Sequence, residues 1–317
     1  MDVVYILGYG RSGSTILDIL LGSDPMIQSV GELDLLSREW GNRSCSCGQS
    51  YDSCAFWSRV RFHTEKAVGP QAVQAREKTL RCVETLRAFP FLLMHCIPSR
   101  RARAYRDFLR AELAAIAQVS GKSTILDSSK CAREAAGRAL AIRRVAGVPV
   151  KMIHLVRDGR AVLWSVKRGD NVRLGDGCSE DAAAFSWPEL RAIGGWVLAN
   201  AIALLTALVS ERGTVLRVRY EDFVREPRRE LIRIGEFLGR DLSAIADRIE
   251  RGETFAAGHN TGGNRAGKAG ALQLREDREW EARLGRTDRA LYWTLGWPLA
   301  LAMARRPRQR TESRFPA

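Results

Sequence analysis

Val3-Val4-Tyr5-Ile6-Leu7-Gly8-Tyr9-Gly10-Arg11-Ser12-Gly13-Ser14-Thr15-Ile16-Leu17 is the stretch that decides the fold. An apolar run, a glycine-rich loop and a second apolar run follow without a gap, which predicts strand, loop and helix. Such a loop turns backbone N–H groups towards an anion, and the N-terminus of the helix adds partial positive charge. The spacing nearly fits the Walker A pattern G-x-x-x-x-G-K-[ST]. Ser14 stands where that pattern has its lysine, and Arg11 supplies a cation three residues earlier. NTP hydrolysis uses the lysine to reach the β- and γ-phosphates. The segment Gly10, Arg11, Ser12, Gly13, Ser14 and Thr15 therefore reads as a holder of a phosphate-like group without NTPase chemistry. The alternative is an ordinary glycine-rich turn before a buried helix. Its place at the start of a βα unit favours the anion site.

Working outward, further strands are expected at Met26–Val30, Ser123–Asp127, Val148–Val156 and Thr214–Tyr220. Helical patterns separate them, which predicts an α/β chain with a central parallel sheet covered on both faces. Residues 57–118 are charged and helical in period, broken by Pro90 and Pro98, and read as a helical insertion or lid after the first βα unit. A helix is expected from Lys130 to about Ala146. A long one is expected from Asp181 to Arg212, interrupted near Pro188 and Gly194. The expected organisation is a single domain over 1–304 and a basic, disordered tail over 305–317. Ligands of such sheets sit at the carboxyl ends of the strands. Arg11, Asp127 to Lys130, Arg157 and Tyr220 all fall at such ends, so one geometric rule gathers them into one cleft.

The second motif is Leu155-Val156-Arg157-Asp158-Gly159-Arg160-Ala161-Val162-Leu163-Trp164-Ser165. Arg157 closes a strand, and Ser165 follows about two helical turns later. Alone, Arg157 could simply cap the sheet and pair with Asp158. Together with Arg11-Ser12-Gly13-Ser14-Thr15, the chain resembles the sulfotransferases that use 3′-phosphoadenosine 5′-phosphosulfate (PAPS), in the bacterial, carbohydrate-type-like branch. The resemblance extends to Arg219-Tyr220-Glu221-Asp222, read as structural, to Gly258-His259-Asn260-Thr261-Gly262-Gly263-Asn264-Arg265, and to Asp277-Arg278-Glu279-Trp280, read as a packing helix. It covers nearly the whole chain and is weakest over 57–118.

That resemblance implies a P-loop-like three-layer fold, PAPS as co-substrate, and transfer of a sulfuryl group to an acceptor hydroxyl by in-line displacement. The first loop would bind the 5′-phosphosulfate, and Arg157 and Ser165 the 3′-phosphate. Arg265 and Lys268 would reach a phosphate from the late loop. Arg11 would stabilise charge at the reacting centre. Glu32, in Val30-Gly31-Glu32, is the expected general base, against the alternative of an exposed carboxylate at a helix start. His259 and His154 are lesser rivals, His154 reading as a core histidine. Lys130 would contact the sulfate or the acceptor, against the alternative of a surface charge placed where the helix dipole disfavours it. The leaving group is already good, so no metal is expected at this centre.

The chain has 317 residues, 45% of them hydrophobic, and a formal net charge of +14. Only seven residues are lysine, so arginine carries the charge, and it holds phosphate and sulfate bidentately. Arginine is spread along the whole chain, which fits a coding preference as well as an anionic partner. No nucleic-acid motif accompanies the charge. The expected partner is a small-molecule or glycan acceptor. No charged, apolar and small-residue run precedes the first strand, and the longest apolar run, Ala290 to Ala304, falls short of a span. A cytoplasmic protein is expected. Leu291–Met303 followed by Arg305-Arg306-Pro307-Arg308 can also make a weak peripheral contact with anionic lipid, against the favoured reading of a packed last helix.

Of the seven cysteines, Cys45, Cys47 and Cys54 cluster in Cys-Ser-Cys-Gly-Gln-Ser-Tyr-Asp-Ser-Cys. Zinc would want a fourth ligand, for which His63 is nearest, and C-x-C is not a standard knuckle. Free or redox-labile thiols are the favoured reading, ahead of a metal or a disulfide. The other readings of the chain are a P-loop kinase or NTPase, which magnesium dependence would reveal, and a non-catalytic nucleotide- or membrane-binding protein.

Overall fold

The computed structural model describes residues 1–36, 44–131, 133–168, 187–262 and 273–304. Its strands are β1 (Asp2–Leu7), β2 (Ile27–Gly31), β3 (Thr124–Asp127), β4 (Val150–Val156) and β5 (Val215–Arg219). They form one parallel sheet in the order β2-β3-β1-β4-β5. β1 pairs with β3 from Asp2↔Thr124 to Tyr5↔Asp127, and with β4 from Val3↔Val150 to Leu7↔His154. The strand order reverses around β1, and a sheet of this kind leaves its crevice at that point.

Successive strand residues point to opposite faces. Val3, Tyr5 and Leu7 pack in one core with Ile125, Val150 and Met152. Val4 and Ile6 pack in another with Leu126, Ile153, Leu155, Leu216 and Val218. Burial on both faces explains why β1 from Val3 to Leu7 is an unbroken apolar run and why β4 is apolar except at Lys151 and His154.

α1 (Ser14–Gly22) follows β1 and joins the second core through Leu17, Ile19, Leu20 and Leu21. The insertion comprises α2 (Ala55–Val68), α3 (Pro70–Gln74), α4 (Arg76–Glu84), α5 (Phe89–Leu93) and α6 (Ser99–Ser120). Pro90 lies in the first turn of α5 and Pro98 just before α6, positions where a missing N–H is tolerated. Two buried arginines fasten the insertion to the sheet. Arg76 meets Glu112 at 2.6 Å and donates to the Leu33 carbonyl beyond β2 at 2.8 Å. Arg138 lies between Glu84 of the insertion at 2.5 Å and Asp127 of β3 at 2.7 Å.

α7 (Arg138–Arg144) starts later than the expected Lys130. Lys130 takes a left-handed φ of 66°, and the Cys131 N–H turns back to the Gly8 carbonyl at 3.0 Å, so the chain spends these residues closing on the first loop. α8 (Gly159–Lys167) and α9 (Pro188–Val209) come next. Among the described residues α9 begins at Pro188 and runs through Gly194 and Gly195 without interruption. A Cβ at Gly195 would lie 2.7 Å from the Tyr9 ring, so close packing and not a break explains that glycine. By length and composition α9, and not the shorter run at Ala290–Ala304, is long and apolar enough to cross a membrane. It packs instead on β1, α8 and the last helix. α10 (Tyr220–Arg225), α11 (Pro227–Leu238) and α12 (Ser243–Glu250) complete the second face, and α13 (Glu279–Arg283) and α14 (Arg286–Ala304) close the described chain. Residues 181–186, the late loop beyond Gly262 and the 305–317 tail lie outside the described residues.

Candidate active site

The loop after β1 is built by backbone conformation. Gly8, Arg11 and Gly13 have φ of 128°, 68° and 89°. A Cβ at Gly8 would sit 2.4 Å from the Leu155 carbonyl oxygen, and one at Gly13 would sit 2.3 Å from the Tyr220 ring. Gly13, the N-cap of α1, has no side chain to cap the first turn, whose leading N–H groups have no partner within the helix. The Ser12 hydroxyl is 1% exposed and has no hydrogen-bond partner among the described residues. A bound anion would satisfy both, as expected of a strand–loop–helix cradle.

Arg157 leaves the end of β4 and reaches this loop. Its Nη1 donates to the Arg11 carbonyl at 3.0 Å. The guanidinium lies over the Tyr220 ring at 4.8 Å, and Nη2 is 3.3 Å from Asp277 Oδ2. The Arg157 carbonyl accepts from Trp196 Nε1 at 3.0 Å, which anchors the strand end. Asp158 is not its partner: it caps α8 by accepting from the Arg160 N–H at 2.8 Å and pairs with the Arg160 side chain. Ser165 is buried on α8. Tyr220 thus does more than end a strand, since it is the floor of Arg157 and the reason Gly13 has no side chain. Glu221 accepts from the Asp158 N–H at 2.8 Å, and burial raises its pKa.

On the other side of β1, Lys130 Nζ meets Glu32 Oε1 at 2.6 Å, with side chains 10% and 23% exposed. Neither is the isolated surface charge of the alternative readings. Lys130 is held by its backbone, whose carbonyl accepts from the Tyr5 hydroxyl at 2.6 Å. Among the described residues three that are not glycine have positive φ, and two of them are Arg11 and Lys130. Strain of this kind costs about 1–3 kcal/mol and persists where the surroundings over-determine it. The late loop closes on Glu32. The Glu32 N–H donates to the Thr261 carbonyl at 2.8 Å, and the Thr261 N–H to the Val30 carbonyl at 2.9 Å. Beneath this join, Asp18 Oδ2 lies 2.5 Å from both Ser29 Oγ and Asn260 Nδ2. Burial raises the Asp18 carboxyl to about 7.

The two rival histidines are committed elsewhere. His154 is buried in β4, lies 2.9 Å from Asn200 Oδ1, and is lowered by burial to about 4. His259 turns Nδ1 to Cys54 Sγ at 3.3 Å and Cys45 Sγ at 3.7 Å. His63 is not part of that group and packs edge-on against Phe62. Arg265 and Lys268 lie outside the described residues. The structure therefore links Arg11 with Arg157 and Glu32 with Lys130, on four adjacent strand ends. The sequence reading missed Asp18, Asn260 and the pairing role of Asp277. A lone aspartate within Ile16-Leu17-Asp18-Ile19-Leu20-Leu21 was a usable signal for the first, whereas nothing local marked the other two.

The chain matches the profile of the Sulfotransferase family over residues 3–244. No curated protein matches it. Among solved structures it is similar to the sulfotransferase domain from the curacin biosynthetic pathway, with 17% identity, TM-score 0.47, and 93% of this chain and 97% of that one covered. For the sulfotransferase domain of the Synechococcus PCC 7002 olefin synthase the values are 22%, 0.43, 75% and 73%. For a retinol dehydratase in complex with androsterone and the inactive cofactor PAP they are 14%, 0.42, 99% and 82%.

Proposed function

The chain belongs to the sulfotransferase family, and from that premise we propose that it transfers a sulfuryl group from PAPS to a hydroxyl of a small-molecule or glycan acceptor. The residues present fit the co-substrate. The orphaned Ser12 hydroxyl and the uncapped first turn of α1 ask for an anion, and Gly8 and Gly13 keep the cradle open. PAPS supplies the activated sulfuryl group and a phosphate leaving group. Gly10 to Thr15 hold its phosphosulfate end by backbone N–H groups, and the Arg11 guanidinium offsets negative charge there. Arg157 and Ser165 hold the 3′-phosphate, with Arg265 and Lys268 of the late loop as further cations. Glu32 takes the proton of the acceptor hydroxyl at its carboxylate. Lys130, 2.6 Å away, positions that carboxylate. The reading asks for no metal at the reacting centre.

The observation that supports this reading best is the hydrogen bond from Arg157 to the Arg11 carbonyl. It joins two anion-binding motifs, 146 residues apart, in one crevice. Calorimetry tests it. The 3′-phosphorylated product nucleotide, PAP, is expected to bind far more tightly than adenosine 5′-phosphate or ATP, and equal affinities would remove the role given to Arg157. A screen of hydroxyl acceptors with radiolabelled PAPS then identifies the second substrate. A weak membrane contact belongs to the same proposal. Trp293, Leu295, Trp297 and Leu301 of α14 are exposed, ahead of the arginine-rich end of the sequence. Salt-sensitive cosedimentation with anionic vesicles is the expected result, and no binding would discard it.

A further inference from the structure

Cys45, Cys47, Cys54 and His259 bring their ligand atoms to within 4.8 Å of one another. Cys47 Sγ lies 3.7 Å from Cys54 Sγ, and His259 Nδ1 lies 3.3 Å from Cys54 Sγ and 3.7 Å from Cys45 Sγ. A tetrahedral zinc with ordinary bond lengths requires edges of about 3.8 Å between sulfurs and about 3.6 Å between sulfur and nitrogen. Three of the six edges are thus close to those of a zinc tetrahedron, and the other three do not exceed 4.8 Å. A disulfide would need the sulfurs at about 2 Å, and all three cysteines are free.

The surroundings are those of a built site. Cys45-Ser46-Cys47-Gly48 forms a tight turn in which the Gly48 N–H returns to the Cys45 carbonyl at 2.9 Å. Backbone N–H groups of Cys47 and Gln49 point at the Cys45 and Cys47 sulfurs. The His259 ring is stacked on Phe56 at 5.1 Å, and its carbonyl accepts from Trp57 Nε1 at 2.9 Å. Ring and backbone are therefore fixed before any ion arrives, as in sites where the neighbours orient the ligands.

We propose that Cys45, Cys47, Cys54 and His259 bind one structural zinc ion, which clasps the cysteine loop to the late loop that closes on Glu32. The set of three thiolates and one imidazole leaves no open position, so the ion holds structure and performs no catalysis. On binding, three thiol protons pass to solvent and His259 coordinates through Nδ1 with its proton on Nε2. The clasp has a clear target. Ser46 donates to the Gly258 carbonyl at 2.5 Å and accepts from the Asn260 N–H at 2.8 Å, and the next residue, Thr261, pairs with Gly31 beside Glu32. This assignment departs from the sequence expectation of free thiols, because the fourth ligand is His259 and not His63.

The full chain, purified under reducing conditions without chelator, is expected to carry about one zinc per molecule by elemental analysis. Cobalt exchange should give the visible absorption of a tetrahedral thiolate site. Cys54→Ser and His259→Ala should lose the metal and that spectrum, while Cys96→Ser, outside the cluster, should keep both. If the cluster variants do not fold, the cobalt spectrum of the wild-type chain and its loss on mercurial titration decide the matter. A wild-type chain with less than about a tenth of an equivalent and no thiolate band overturns the proposal. So does zinc retained in His259→Ala, or a Cys47–Cys54 disulfide in the mass spectrum of the reduced preparation.

Discussion

Glu32 and Lys130 are a pair whose two members answer for different things. Glu32→Gln keeps shape and removes basicity. Turnover is expected to fall by roughly 10²–10⁴ while PAP affinity stays, and the acidic limb of the pH–rate profile should vanish. A variant with most of its activity would leave Glu32 as a partner of Lys130 and nothing more. No histidine stands ready to replace it, since His154 is buried beside Asn200 and His259 is held among cysteines. Arg11→Ala is expected to slow saturated turnover by about 10²–10³, the usual effect of losing a charge-stabilising donor, whereas Arg157→Ala should mainly weaken nucleotide binding. Kinetics at saturating PAPS separate the two, and a reversed pattern would exchange their roles. Asp18 makes a prediction about stability. Its folded pKa is raised by burial to about 7, above the usual carboxylate range. Its contribution is fully present below the unfolded value and is lost as the pH rises through about 7. Asp18→Asn does not titrate, so its stability relative to wild type should improve between about pH 4 and about pH 8, by one to a few kcal/mol. Urea denaturation across that range measures the difference, and a flat difference would contradict the raised value.

The loop between β1 and α1 depends on an element it does not follow in sequence. Gly13 carries a left-handed φ and stands against the Tyr220 ring at the start of α10. Gly13→Ala adds a methyl where that ring already is. A loss of about 1–3 kcal/mol in chemical denaturation is expected, with weaker PAP binding because the ring also supports Arg157. Unchanged stability and affinity would show that the α10 start can yield. The same dependence explains which elements were visible in advance. β1, β3 and β4 are short, mostly apolar runs and β5 alternates apolar with arginine, and the helix–loop pattern between them is local. The helix expected from Lys130 was misplaced because its first residues serve a turn back to Gly8, a contact made across two strands.

Arg138 sits fully buried between Glu84 of the insertion and Asp127 of β3. Removing one partner of a buried ion pair strands the others, so Arg138→Met is expected to destabilise the chain by about 3–5 kcal/mol. A melting curve as cooperative and as high as that of wild type would mean that the insertion is held by its apolar core alone. Arrangements of this size explain how much of the site could be read beforehand. Arg11, Arg157 and Lys130 were marked by their places at strand ends, because the carboxyl end of a parallel sheet is where a crevice opens, whereas Glu32 was marked only by the resemblance of Val30-Gly31-Glu32 to the family. Asp277 carries only the local pattern of a packing helix, Asp277-Arg278-Glu279-Trp280, although it is the ion-pair partner of Arg157 across 120 residues.

What the order of residues settled was local and periodic. Apolar runs long enough to be buried on both faces specified strands, glycines at left-handed positions specified the turn between β1 and α1, and 3.6-residue periodicity specified the insertion helices. What only the folded chain decided was company. The strand order β2-β3-β1-β4-β5 puts Glu32 beside Lys130 and Arg157 beside the first loop. The late loop's return to β2 carries His259 to three cysteines more than 200 residues away. Periodicity reports the environment of a residue within a few neighbours. Partners between strand ends and loops are chosen by packing of the whole sheet, and no local pattern records that choice.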